Sequence, residues 1–257
     1  MERIAYEEMA DAEDEHWWFV GRRSIIADIF DRLELPRSAE ILEVGAGTGG
    51  NLRLLSNYGH VRAMEPNETA RQIAIEKSRS SGAAIDPVDI AFGRCPDSIP
   101  FQQNTFDLIC MFDVLEHVVQ DSQTLAVLLD RLRPGGRLLI TVPAYQWLWS
   151  SHDEHLHHFR RYTKTQLNAI AAAVGMRVDR LTYFNTFLLP AVAAIRLGGQ
   201  LVGREGSQGM TATKFSMVNG ALRKLLAAER YLLRGVNLPM GVSLLGVFSA
   251  WASETSD

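Results

Sequence analysis

Residues 150–163, SSHDEHLHHFRRYT, hold four histidines, two acids and two arginines in fourteen positions. Histidine titrates near neutral pH, so His152 backed by Asp153, or His155, could take a proton from a substrate. Arg160 and Arg161 carry planar forks that grip a phosphate or carboxylate at two points, or that pair with Asp153 or Glu154 at the surface. The His-x-x-His-x-His-His spacing could also hold a metal, and the same groups could cap helices and bind backbone. Local sequence leaves these readings open, because ligand geometry is set by backbone shape.

A second reactive set lies upstream. The run ILEVGAGTGG places Glu43, Gly45, Gly47 and Gly49 between a strand pattern and a helical one, where missing side chains let backbone amides and a helix N-terminus approach a ligand. Drawn through Gly50, the same glycines fit a dinucleotide loop, so spacing does not name the ligand. Glu65, in AMEPN, ends the next strand pattern with two acceptor oxygens suited to ribose hydroxyls. Asp113, Glu116 and His117 in FDVLEH follow a fourth strand pattern and would share one face of a helix. Singly, Glu65 reads as a surface strand end and Asp113 as a helix cap. Jointly they stand at carboxyl ends of adjacent strands, where a doubly wound sheet binds its ligand.

The elements that must position these groups follow from periodicity. Apolar positions 25, 26, 29, 30 and 33 predict a helix over 17–35 that Pro36 stops. AEILEVG predicts a strand, GTGGNLRLLSNYG a turn and a helix closed by Gly59, and HVRAMEP a second strand. Asn67 should cap a helix running to residue 79, and AIDPVDIAFG supplies a weaker third strand. TFDLICMFDV is the fourth, residues 121–132 form a helix ended by RPGG, and RLLITVP is the fifth. Then come a capped helix in TKTQLNAIAAAVG, a sixth strand in MRVDRLTYFN, apolar helices over 187–203 and 213–234 joined by GREGSQGM, and a last strand in MGVSLLGVFSAWA. This alternation predicts an α/β protein with a doubly wound, mostly parallel sheet, one domain over 1–257 with an N-terminal helical cap over 1–35.

With 257 residues and 47% apolar content the chain can bury such a core. A net charge of -4 supplies no global basic field, which disfavours a nucleic-acid partner. Cys95 and Cys110 have no CxxC partner, and the start MERIAYEEMADAEDEHWWF is acidic before it is apolar, the reverse of a secretory signal, so reduced thiols and a cytoplasmic location are expected. The stretch 187–203 is broken by Pro190 and Arg196 and falls short of the roughly 20 apolar residues of a membrane span. It is expected as a buried or lid helix, or as an interfacial helix in peripheral membrane contact.

The segments ILEVGAGTG, the acid of AMEPN, GRCPDSIPFQQNTFDLICMFDVLEHV, LRPGGRLLITVP and VGMRV resemble, in order and spacing, the class I S-adenosylmethionine-dependent methyltransferases, over 40–184 plus the last strand. The resemblance implies a Rossmann-like sheet of seven strands with the last antiparallel, and S-adenosyl-L-methionine as cofactor. It implies that Glu43, Gly45, Ala46, Gly47 and Gly49 hold the methionine end, that Glu65 with Pro66 binds the ribose, and that Phe112 and Asp113, with His117 packed beside them, face the sulfonium. The family usually places an acid where this chain has Arg94, so adenine is expected against Cys95 and Pro96 through backbone and packing. HWWFVGRR and HDEHLHHFRRY also resemble a subgroup of bacterial methyltransferases of unknown acceptor.

In that architecture the histidine-rich stretch leaves the fifth strand beside the transferable methyl group. His152 with Asp153, or His155, is then the expected base, and Trp17, Trp18, Tyr145, Arg160 and Arg161 the expected acceptor wall. Trp17 and Trp18 would shield the cationic cofactor or pack a helix start. The FDVLEH run also resembles that of ubiquinone-pathway O-methyltransferases, where it is linked to a divalent ion. Because residues at this spacing also serve as core or cap residues, His117 is read here as packing and no metal is expected.

The reaction expected is methyl transfer to oxygen on a small or lipid-linked acceptor, with residues 187–237 as a helical lid inserted before the last strand. Two other readings remain. An NAD-dependent oxidoreductase shares the glycine loop and Glu65 but has no use for FDVLEH and LRPGG. A catalytically silent methyltransferase-like partner protein would keep the fold alone.

Overall fold

Short runs of buried aliphatic side chains make the strands, and the computed structural model, which describes residues 3–80, 89–202 and 216–250, joins seven of them in one sheet. They are β1 (Ala39–Val44), β2 (Gly59–Met64), β3 (Ile90–Ala91), β4 (Phe106–Phe112), β5 (Leu132–Pro143), β6 (Met176–Phe184) and β7 (Ser243–Ala250). Their order is β3-β2-β1-β4-β5-β7-β6. The first five pair in parallel, and β7 runs antiparallel between β5 and β6. Ile41, Leu42 and Val44 of β1 and Leu108, Ile109, Cys110 and Met111 of β4 are all buried, the continuous apolar run of strands covered on both faces.

The covering helices are α1 (Arg3–Glu15), α2 (Trp17–Phe30), α3 (Leu52–Leu55), α4 (Glu68–Ser80), α5 (Asp121–Leu129), α6 (Ser151–His155), α7 (Lys164–Ala173), α8 (Leu189–Val202) and α9 (Ser216–Leu233). One core cluster joins α2, α3 and α9 to the sheet, and a second joins α5 and α7 to its other face. Caps set the helix starts as the sequence predicts. Asn67 Oδ1 accepts from the Ala70 N–H at 3.0 Å, and Thr163 and Gln166 form a capping box on α7.

Three expectations are corrected. The helix after the glycine loop is a single turn, and Gly59 opens β2 instead of closing it: a Cβ there would lie 2.2 Å from the Ala39 carbonyl oxygen. Among the described residues the third strand is only Ile90–Ala91; the start of its expected run, 84–88, lies outside them, as does GREGSQGM. Finally, the region 187–237 is not one lid. Leu226 and Leu233 of α9 are buried in the same cluster as Ile25, Ile29 and Phe30 of α2, so α9 is a wall of the core. The fully buried Glu229 of α9 accepts from the Phe187 N–H at 2.8 Å, which ties the approach to α8 onto that wall. Among the described residues no helix is long and apolar enough to cross a membrane.

The α2–α9 contact is close because Gly21 has no side chain: a Cβ there would come within 2.9 Å of Leu226 Cδ2. Gly21→Leu should therefore cost about 1–3 kcal/mol through overpacking. Urea unfolding of the variant beside the parent checks this, and equal stability would mean the helices separate freely.

Candidate functional site

Strand order reverses across β1 and β4, which opens a crevice outside their carboxyl ends. The glycine loop leaves β1 there. Gly45, Gly47 and Gly49 take φ values of 68°, 56° and 85°, a left-handed path that glycine adopts without steric cost. The Gly45 and Ala46 N–H groups donate to the Met64 carbonyl oxygen at 2.8 and 3.1 Å and fix the loop to the end of β2. Glu65, just beyond, accepts from the Gly47 N–H at 2.9 Å and the Asn67 N–H at 2.8 Å. Glu43, 1% exposed, accepts from Asn51 Nδ2 at 2.8 Å.

This edge is crowded with acid. Burial pushes the Glu43 carboxyl up to about 8, with Glu13 and Glu65 adding to the effect, and burial also raises Glu65 and Glu13. Glu13 comes from α1, which lies over the loop. Its Oε2 accepts from Thr48 Oγ1 at 2.7 Å and from Lys77 at 3.3 Å. Burial and the nearby Glu65 charge together raise the Tyr6 hydroxyl. Nothing in the sequence pointed to Glu13, since it lies in an acidic run that reads as a solvated face.

At the end of β4, Asp113 accepts from Arg22 Nη1 and from Thr141 Oγ1, the latter at 3.1 Å. The Arg22 guanidinium is buried 5.9, 5.7 and 5.9 Å from the ring centroids of Trp18, Phe19 and Phe112. Trp18 stacks on Phe184 at 5.9 Å, and Trp17 meets it edgewise with its backbone N–H on Asn219 Oδ1 at 2.7 Å. The tryptophans thus pack the start of α2, and the cation that Trp18 meets is Arg22. HWWFVGRR is conspicuous in the sequence, but nothing in it identifies Asp113 as the partner.

The histidine-rich stretch is organised by Asp153, which is fully buried. It accepts from Arg161 Nε at 2.8 Å and Nη2 at 3.0 Å, from the Ser150 N–H at 2.9 Å, and lies 2.9 Å from His158 Nδ1. Burial would raise this carboxyl, but the His158 and Arg161 bonds hold it well below the usual carboxylate range. The expected Asp153–His152 pair is therefore corrected: Asp153 orients His158. His152 is half-buried and lowered by burial, and His155 is exposed on α6. Both arginines are engaged by protein carboxylates instead of standing ready for an acceptor anion. Arg161 is held by Asp153 and the Ala144 carbonyl, and Arg160 by Asp121 at 2.7 Å.

The Phe159 N–H donates to the Glu116 carbonyl oxygen at 2.8 Å and draws the loop against the 3₁₀ turn Leu115–His117. The His158 and His117 rings then meet edgewise at 4.6 Å. Burial, followed by the His158 charge, lowers His117 to about 4. Glu116 is fully buried, neither carboxyl oxygen has a hydrogen-bond partner among the described residues, and burial followed by Asp113 raises it well above the usual range. Donor atoms of Glu116, His117 and His158 lie within 4.8 Å of one another. Glu116 and His117 are neighbours in FDVLEH, but no signal in the sequence unites them with His158, which lies in a separate segment.

The other expected residues lie as follows. Tyr145, at φ 58°, stacks on Tyr183 at 5.0 Å and Trp147 at 5.7 Å. Cys95 and Pro96 are buried, Cys95 in the cluster with Val44 and Met64, and burial pushes its thiol up to about 12. Arg94 is exposed and pairs backbone to backbone with Ser98.

A family model for a methyltransferase domain matches residues 19–181, more than half of the chain. The ubiquinone/menaquinone biosynthesis C-methyltransferase UbiE of Erwinia tasmaniensis is 29% identical over 129 residues, 48% of this chain and 51% of that protein. The chain spans about half the length of the curated relatives it matches. Among solved structures, a SAM-dependent methyltransferase from Aquifex aeolicus has a TM-score of 0.54 at 18% identity, covering 71% of this chain and 93% of that one. Phosphoethanolamine N-methyltransferase 2 of Haemonchus contortus, in complex with S-adenosyl-L-methionine, has a TM-score of 0.56 at 16% identity, covering 88% and 52%. These structures share the fold.

Glu43 gives the site a pH signature. It stays neutral in the fold up to about pH 8 yet ionises near 4.5 when the chain unfolds. Across that window the folded state holds the extra proton, so stability of the cofactor-free protein falls as pH rises, by up to about 1.4 kcal/mol per pH unit. Glu43→Gln should flatten that part of the slope in urea unfolding at a series of pH values. Parallel slopes for parent and variant would mean Glu43 is already ionised in the fold.

Proposed function

We propose, for a chain that belongs to the class I S-adenosylmethionine-dependent methyltransferases, transfer of the methyl group of S-adenosyl-L-methionine to an oxygen of a small or lipid-linked acceptor. The observation that carries this reading is the group of acids around the glycine loop, the buried Glu43 and Glu65 with the partly exposed Asp113. Such a field suits a cofactor with a sulfonium and an ammonium, and family membership sets aside the NAD-dependent reading.

A carboxylate offers about four acceptor sites, so Glu65 can keep the Gly47 and Asn67 N–H groups and still accept two ribose hydroxyls. Glu43 would then stand beside the cationic methionine end, where a positive neighbour would favour its ionised form. In the displacement, the acceptor oxygen forms a bond to the methyl carbon as the carbon–sulfur bond breaks. S-adenosylhomocysteine leaves, and the acceptor proton goes to a base. His158, held by Asp153 beside His117, is the base this geometry favours, in place of His152. Glu116, His117 and His158 also fit a divalent ion, since the Glu116 oxygens are buried without partners, and an ion there would polarise an acceptor oxygen. A carbon acceptor is the second reading, favoured by relatives named C-methyltransferases, and it would use the same base.

Calorimetric titration should show S-adenosylhomocysteine binding and no NAD binding. Glu65→Ala should weaken the former by about 1.5–3 kcal/mol for each ribose hydroxyl left without its acceptor. A folded variant with unchanged affinity would remove Glu65 from the cofactor site.

With S-adenosyl-L-methionine carrying a labelled methyl group and a lipid extract as acceptor, His158→Ala should lower incorporation roughly 100-fold or more at unchanged cofactor affinity. Loss of turnover on chelation would assign His158 to an ion, and insensitivity to chelation would assign it to proton transfer. Fragmentation of the labelled product separates oxygen from carbon methylation. Full turnover by His158→Ala would sink the assignment.

A further inference from the structure

We infer that α9 docks the protein on an anionic lipid surface. The inner face of α9 is packed into the core through Leu226 and Leu233. Its outer face carries a second apolar stripe, Met217, Ala221, Leu225 and Leu232, at four- and seven-residue steps along the same side of the helix. Met217 is 89% exposed, Leu232 44% and Leu225 39%. An amphipathic wall helix needs one apolar face; α9 has two, and the outer one meets no described residue that buries it.

The charges along α9 give the sign of the partner. Arg223 and Lys224 are exposed and form no ion pair among the described residues, while the one acid of the helix, Glu229, is fully buried and turned to the Phe187 N–H. The exposed surface of α9 therefore carries cations only, on a chain whose net charge is -4. Exposed apolar side chains flanked by Arg and Lys, with Tyr231 also exposed, are what an interfacial helix presents to anionic headgroups, its apolar atoms sinking into the acyl boundary and its cations staying at headgroup level. The contact proposed is an interfacial one, with α9 lying in the plane of the surface. It stands whichever atom is methylated, and it would bring the catalytic edge to a lipid-linked acceptor if that reading holds. The sequence reading expects peripheral contact of 187–203, whose side chains beyond Arg196 lie outside the described residues; the docking proposed here is by α9.

Co-sedimentation of the full chain with vesicles tests this without any acceptor. Binding is expected to vesicles containing phosphatidylglycerol, to weaken with added salt, and to be near background with phosphatidylcholine alone. Leu225→Glu, and separately Arg223→Glu with Lys224→Glu, should each reduce binding by about tenfold or more. The sites are exposed, so unchanged circular dichroism and unchanged S-adenosylhomocysteine affinity are expected in the variants, and they separate this result from the methyltransferase reading. Absence of binding to anionic vesicles, or binding undiminished in both variants, overturns the proposal. A dimer in sedimentation velocity that Leu225→Glu abolishes, without vesicle binding, also overturns it and gives the stripe to a second copy.

Discussion

The structure depends on the placement of buried acids at one edge of the sheet. Glu13, Glu43, Glu65 and Glu116 are almost wholly removed from water near the carboxyl ends of β1, β2 and β4, and burial is the first cause of the raised affinity of each for a proton. Burying a carboxylate is costly unless it is neutralised, hydrogen-bonded or paired. Each acid meets that cost differently. Glu65 takes two backbone amides, Glu43 an asparagine, Glu13 a threonine and Lys77, and Asp113 the caged Arg22. Glu116 has no such bond among the described residues, and burial favours its protonated form. A cationic cofactor seated here would relieve the repulsion that the protein itself leaves in place.

The histidine-rich stretch is arranged the opposite way. Asp153 is surrounded by donors from Arg161, His158 and Ser150, so its charge is fully answered within fourteen residues of chain. That buried pair fixes the loop as a rigid unit, and the Phe159 to Glu116 bond then sets it against the 3₁₀ turn. A loop that looked like a collection of reactive side chains is mostly self-supporting. Of its four histidines, His158 is the one that Asp153 holds, and it stands against His117.

The N-terminal helices tie α9 to the acid-rich edge. Arg22 of α2 reaches Asp113, α2 packs on α9 through Gly21, and Asn219 of α9 receives the Trp17 N–H and donates to the Glu15 carbonyl oxygen. Movement of α9, for instance on docking, would reach Arg22 through α2, and Arg22 pairs with Asp113 at the end of β4.

Much of the fold was legible without coordinates. Alternating strand and helix periods, the Asn67 and Thr163 caps and the glycine loop all follow from interactions within a few residues, and the structure has them where expected; the antiparallel last strand was implied by the family resemblance alone. The placement of Glu43, Glu65 and Asp113 at one edge was legible too, because parallel strands send their carboxyl ends the same way. Partner choice was not. Arg22 and Asp113 are 91 positions apart, Trp17 and Asn219 are 202 apart, and His152 stood beside Asp153 in sequence while a helical turn carried His158 into its reach. Which face of α9 is core and which is free likewise depends on where α2 lies. Local sequence determines elements because hydrogen-bond and burial periods are local. Charge pairing at the site was decided only by tertiary structure, because it depends on distances that exist once distant segments have packed.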